Sequence, residues 1–216
     1  MPEAAVSYAV PAATEYLRNA DPVLGALIDS LGEPSFEQPP DRPAPGAHYA
    51  ALVRAIVGQQ LSTHAARAIW TRLLERFGGH PPEPRQILED EPETLREAVG
   101  LSRAKVSFLR SLAEHVESGE LELDRMERLS DEEVIAELTA VKGIGLWSAQ
   151  MFLMFQLERP DVLPVGDLGI RRAIERAYKL DALPDEATAE AIGEPWRPHR
   201  TLASRYLWLS LRNQPL

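Results

Sequence analysis

Almost every apolar segment of this chain repeats at helical spacing, and no stretch alternates long enough to make a strand. The chain therefore reads as all-α, with about ten helices. Local signals mark many of their ends. Ser62 opens an amphipathic helix that places Ala66, Ile69, Trp70, Leu73 and Leu74 on one face, and Gly78-Gly79 end it. Ser102 begins a helix running to about Val116, and Ser130-Asp131-Glu132-Glu133 is a capping box. Further helices are expected over 14–31, 49–57, 84–89, 92–99, 145–157, 167–178, from Pro184 onward, and over 198–212. Residues 33–46 hold five prolines and read as an extended loop.

Composition narrows the chemistry. The 216 residues suffice for one sizeable domain or two small ones. Without cysteine there is no disulfide, thiolate nucleophile, cysteine-ligated zinc or iron–sulfur cluster. No apolar run approaches the roughly 20 residues of a membrane span, and no basic segment followed by an apolar core opens the chain. A cytoplasmic location is the expectation. The net charge of −10 is unevenly spread. Residues 81–137 carry 16 acidic and 7 basic side chains, whereas residues 138–180 carry 4 and 6. That pattern predicts an acidic back and a mildly basic face, compatible with a polyanionic partner.

The basic stretch contains the most informative residues. Val141-Lys142-Gly143-Ile144-Gly145-Leu146-Trp147 joins two helices through a turn whose glycines let the backbone approach another molecule closely. The second helix begins there with unpaired amides, an arrangement suited to a phosphate. Twenty residues beyond Trp147, in Leu163-Pro164-Val165-Gly166-Asp167, an aspartate opens another helix. Taken alone, Asp167 reads as a helix cap, Trp147 as a core side chain and the glycine turn as a tight connection.

Together these segments resemble the helix-hairpin-helix DNA glycosylases, the superfamily that includes endonuclease III. The likeness is to its alkylated-base branch, the DNA-3-methyladenine glycosylase II or AlkA-like family. It covers roughly residues 48–212 and extends to Ala55-Ile56-Val57-Gly58-Gln59-Gln60-Leu61-Ser62 and Pro195-Trp196-Arg197-Pro198. The resemblance implies two helical lobes with a DNA-binding cleft between them. Residues 1–47 would pack on the second lobe, 48–135 would form a bundle, and 136–216 would carry the hairpin and the C-terminal helices.

By that resemblance Asp167 is the catalytic carboxylate, stabilising the positive charge that develops at C1′ as a base departs and orienting the attacking water. Gly143 and Gly145 would hold a phosphate with help from Lys142. Trp147 stands where bifunctional relatives carry a Schiff-base lysine, which implies a monofunctional enzyme, and its ring would stack on a flipped base. Met151 and Arg205 occupy positions that are aromatic in many members, so the base pocket is expected to be wide. Gln60 would plug the vacated space in the duplex, and Leu101 matches a second wedge position. Carbonyls of Thr139, Val141 and Ile144 would hold a monovalent cation; no other cofactor is implied. The expected partner is double-stranded DNA with alkylated bases, bound by a monomer with no membrane association. Two alternatives stay open: a non-enzymatic module that binds damaged DNA, and a glycosylase for another lesion. The five histidines show no metal spacing.

Overall fold

A computed structural model describes residues 3–32, 43–44 and 46–212. Twelve α-helices lie among them, with no strand: α1 (Glu3–Ala20), α2 (Pro22–Leu31), α3 (His48–Gly58), α4 (Thr63–Arg76), α5 (Pro84–Glu89), α6 (Pro92–Val99), α7 (Arg103–Ser118), α8 (Asp131–Ala140), α9 (Leu146–Phe155), α10 (Leu168–Ala177), α11 (Glu186–Gly193) and α12 (Arg200–Arg212). Short 3₁₀ turns at Leu123–Arg128 and Glu194–Trp196 complete the set. The proline-rich stretch falls mostly outside the described residues.

The chain divides into two compact units, Gln38–Leu157 and a second made of Met1–Glu37 with Glu158–Leu216. The boundary expected at 135/136 thus falls at 157/158. The hairpin helices α8 and α9 belong with the central bundle because α9 packs on α3 and the turn between α8 and α9 sits on α7. The N-terminal helices group with the C-terminal segment in a unit whose first stretch is Met1–Glu37, where 1–47 was expected.

In the central unit α3 lies against α4, α7 and α9, while α7 also packs on α5 and α6. The helical period explains why. Leu52, Val53, Ile56 and Val57 form one face of α3, Val106, Leu109, Leu112 and Ala113 one face of α7, and all are buried. Each of these valine, leucine and isoleucine side chains contributes about 1.5–3 kcal/mol on leaving water. Leu101 is 3% exposed, which corrects its assignment as a wedge. Gly100 ends α6 in the left-handed conformation and the chain turns inward. Leu101 then precedes the Ser102 cap of α7, in the staple position relative to the equally buried Val106.

The other unit is built on α1, α2, α10 and α12 around Leu17, Leu24, Ile28, Ile170, Ile174, Trp196, Ala203 and Leu207. The single helix expected over 14–31 is two. Pro22 has no amide to donate, and the Asp21 carboxylate accepts from the amides of Val23 and Leu24, so a new helix starts there. The same carboxylate accepts from the Tyr178 hydroxyl and from Trp196 Nε1 at 2.9 Å. Burial pushes the Asp21 carboxyl up, but the Tyr178 and Trp196 donors and the two amides outweigh it and hold the group below the usual carboxylate range.

Folding lowers the pKa of Asp21, so the stability it contributes is present above the ordinary carboxylate range and is lost as pH falls through it. Asp21→Asn leaves the Trp196 N–H facing an amide and is expected to cost about 1–3 kcal/mol at neutral pH. Urea unfolding is expected to show that deficit narrowing only as pH falls below the ordinary carboxylate range, where the folded parent begins to protonate as well.

Candidate active site and nucleic-acid interface

The hairpin is assembled from local chemistry. Ser130 and Glu133 cap α8 reciprocally, and at its other end the Val141 amide turns back to Leu138 O at 3.2 Å. The turn closes with Ile144 N on Val141 O at 3.1 Å, and the Ile144 side chain is buried beneath it. Its two glycines do different work. Gly143 has φ +91°, and a Cβ there would fall 2.1 Å from Cγ of Phe108, whose ring is therefore packed directly against the Gly143 backbone. Gly145 has extended backbone and caps α9 without a side chain, and nothing lies within 4 Å of the space a Cβ would take. One glycine lets the turn sit on α7; the other keeps its outer side open.

Neighbouring side chains hold this arrangement. Gln59 Nε2 donates to Gly143 O at 2.8 Å, tying the end of α3 to the turn. Lys105 Nζ donates to Val57 O at 2.8 Å at the same end of α3, and burial pushes its pKa down. Beyond Gln59 the chain leaves α3 through Gln60, which is exposed with φ +58°, followed by Leu61 at 38% exposure. Lys142 is exposed, its ammonium donating to Ser107 Oγ at 3.0 Å.

On the first turn of α9 the large apolar side chains of Leu146 and Trp147 face solvent, Trp147 at 48% exposure. The reading of Trp147 as a core residue is thereby set aside. Met151, four residues on, shares its face of α9 and is half-buried. An exposed indole beside an open helix start is a surface suited to stacking. The carbonyls of Thr139 and Val141 stand at the C-terminal end of α8, the negative end of its dipole, with Ile144 in the turn.

Asp167 belongs to the other unit. The irregular stretch before it is pinned to α12: Thr201 N donates to Pro160 O at 3.0 Å, and Thr201 Oγ1 donates to Arg159 O at 2.7 Å while accepting from Val162 N at 3.0 Å. Arg200 and Arg197 converge on Asp161. Burial pushes the Asp161 carboxyl up, yet the Arg200 guanidinium outweighs it and holds the group low. Asp167 N then closes on Pro164 O at 2.9 Å, and Asp167 caps α10.

Its Oδ1 accepts from Ile170 N at 2.9 Å and from Trp208 Nε1 at 3.0 Å. Gly169 makes the second contact possible: a Cβ there would lie 2.9 Å from Asp167 Oδ1 and 3.3 Å from Trp208 Cδ1. Asp167 and Trp208 are both half-buried, and Arg205 is half-buried one turn before Trp208 on the same face of α12. The result is a carboxylate of fixed orientation at a helix N-terminus, partly open to solvent, able to stabilise a cation or orient a water.

Three residues of this machinery escaped the sequence reading. Trp208 carries no local signal, because its partner is 41 positions away. Gln59 was passed over for its neighbour Gln60, and no local signal separates adjacent glutamines. Gly169 had a signal: glycine in the first turn of a helix is disfavoured unless something approaches closely. Among the described residues no cluster of His, Asp or Glu forms a metal site.

Comparison with known proteins identifies relatives of the whole fold. The family model described as the HhH-GPD superfamily base excision DNA repair protein matches residues 53–198. DNA-3-methyladenine glycosylase 1 of Schizosaccharomyces pombe is 40% identical over 162 residues, 74% of this chain and 71% of that protein. The S. pombe 3-methyladenine DNA glycosylase solved with abasic DNA superposes with TM-score 0.79 at 36% identity, covering 91% of this chain and 94% of the other. The DNA-3-methyladenine glycosidase of Bacillus halodurans gives 0.80 at 37% identity, covering 93% and 89%.

Alanine should separate the two hairpin glycines. Gly143→Ala forces a Cβ into Phe108 at a positive φ and is expected to lose roughly 2–4 kcal/mol in urea unfolding. Gly145→Ala enters open space and is expected to stay within about 0.5 kcal/mol of the parent.

Proposed function

Because this chain belongs to the HhH-GPD superfamily of base excision DNA repair proteins and is a DNA glycosylase for alkylated bases, we propose that it removes them by Asp167-assisted hydrolysis without cutting the strand. The observation that carries this reading is the Asp167 carboxylate, fixed by the Ile170 amide and the Trp208 indole at the start of α10. As the N-glycosidic bond breaks, its electrons leave with the base and positive charge builds on C1′. A preorganised anion stabilises that charge, and water then adds to C1′. An N-alkylated purine such as 3-methyladenine or 7-methylguanine already carries positive charge and departs neutral, so no strong general acid is needed.

The other parts follow. Double-stranded DNA is held at the Gly143–Gly145 turn with Lys142 near the phosphate, and a monovalent cation bound by the Thr139, Val141 and Ile144 carbonyls would neutralise the end of α8 there. The exposed Trp147 ring, with Met151 on its face, stacks on the flipped base, and Gln60 fills the space left in the duplex. With tryptophan at position 147 no amine stands ready for a Schiff base, hence a monofunctional reaction. No helix among the described residues is long and apolar enough to cross a membrane. We take the chain to act as a monomer in the cytoplasm.

Asp167→Asn is expected to slow release of methylated purines from duplex DNA by roughly 10²–10³-fold. The parent should leave alkali-labile sites and no nicks; free base from an equally active Asn variant, or strand cleavage before alkali, refutes the mechanism. Trp208→Phe removes one donor to Asp167, and Gly169→Ala drives a Cβ against both groups. Each is expected to lower the single-turnover rate about tenfold or more while leaving affinity for an abasic-analogue duplex within about twofold.

A further inference from the structure

The acidic stretch 81–137 has only seven basic side chains, and three of them, Arg96, Arg103 and Arg110, line one surface cavity with Lys142 of the hairpin. The cavity encloses about 430 Å³. One wall is a face of α7, where Arg103, Ser107 and Arg110 recur at helical spacing. Ser107 holds the Lys142 ammonium at 3.0 Å, and the following residue, Phe108, is the ring that seats Gly143. The cavity and the glycine turn are thus built on the same stretch of α7.

The charges in it are not equivalent. Arg96 is engaged by Glu93 and Glu97, and Arg110 Nη1 donates to the carbonyls of Ile87, Leu88 and Asp90. Arg103 is different: its side chain is 84% exposed and reaches Glu93 only at 3.7 Å. Arg96 contacts the same Glu93 at 2.7 Å, so Arg103 can turn to another anion while that carboxylate stays paired. Glu114 is the other acid of the lining, leaving four cations against two carboxylates. In a protein of net charge −10, a concave surplus of positive charge beside a phosphate-holding turn calls for an anion.

We propose that this cavity seats a second backbone phosphate of the DNA strand gripped at the Gly143–Gly145 turn, with Arg103 and Lys142 as its cations and Ser107 as a hydroxyl donor. The inference rests on the reading that the hairpin holds DNA. Lys142 is covalently next to Gly143, so an anion beside its ammonium is one side chain away from the turn, the scale of the step between consecutive phosphates. Such a contact adds affinity and salt dependence without reading sequence.

Binding of the full chain to a duplex with a stable abasic analogue, titrated from about 50 to 200 mM salt, tests this. Arg103→Ala is expected to weaken binding roughly fivefold at the low end and to reduce the log–log salt slope by about one. Arg103→Lys should restore the slope, and unchanged thermal midpoints should show both variants folded. The proposal is overturned if Arg103→Ala leaves affinity and slope intact while Gly145→Ala weakens binding; the hairpin reading then survives alone. If Gly145→Ala has no effect either, both fall. Inorganic phosphate supplies the remaining arm. Should it raise the parent's thermal midpoint at constant ionic strength, through Arg103, with the DNA salt slope indifferent to that residue, the cavity serves a free anion and the proposal fails.

Discussion

The contact between Trp208 and Asp167 exists because α12 is bolted to the irregular stretch that delivers the aspartate. Arg200, whose side chain is 10% exposed, places its guanidinium on Asp161 and Glu190, and Thr201 bridges Arg159 and Val162. A buried ion pair of this kind is weak evidence for stability, since desolvation offsets much of its attraction. Its value lies in geometry. An arginine bound through several nitrogens to one carboxylate fixes both backbones in rotation as well as distance. Two turns along α12, that fixed register brings the Trp208 indole to Oδ1 of Asp167. Lengthening or shifting the 158–166 stretch by one residue would move the aspartate off its donor.

The central unit follows the same logic with packing in place of charge. The Phe108 ring occupies the volume that any side chain at 143 would need, so the turn can descend onto α7 only as glycine. Gln59 then binds the Gly143 carbonyl from the end of α3. With that carbonyl engaged and the Ile144 side chain buried, the open ground around Gly145 is what the turn presents outward. Rigid on one side and vacant on the other, it can receive a phosphate without rearranging. Preorganisation of this sort lowers the cost of binding and limits the cost to groups already in place.

How much of this was legible in the sequence depends on range. Caps, glycine stops and the hairpin spacing are local, and Ser62, Ser102, Ser130 and Asp167 all cap helices where the residues indicated. The break at Asp21-Pro22 was equally local and was outweighed by apolar periodicity running across it. What could not be read were choices made by distant partners. Leu101 looked the same as an exposed wedge or a staple until the inward turn at Gly100 was known. The unit boundary lay at 157 because Gln59 and Phe108, far upstream, claim the hairpin. Trp208 gained its role only from an aspartate 41 residues before it.

Charge shows why such distant choices matter. Averaged along the chain, residues 81–137 are strongly acidic, and that average suggested a surface turned away from DNA. Folding sorts the same residues differently. Arg85 and Arg125 are spent on Glu89 and Glu137, whereas Arg96, Arg103 and Arg110 gather around the hairpin lysine. At physiological salt, interactions between exposed charges fade over roughly 8 Å, so what a bound phosphate senses is the handful of groups within that radius and little of the net −10. An acidic protein can hold a polyanion if its few cations converge where the backbone is bare. The bare backbone at Gly145 and the cations along α7 meet that condition in one unit.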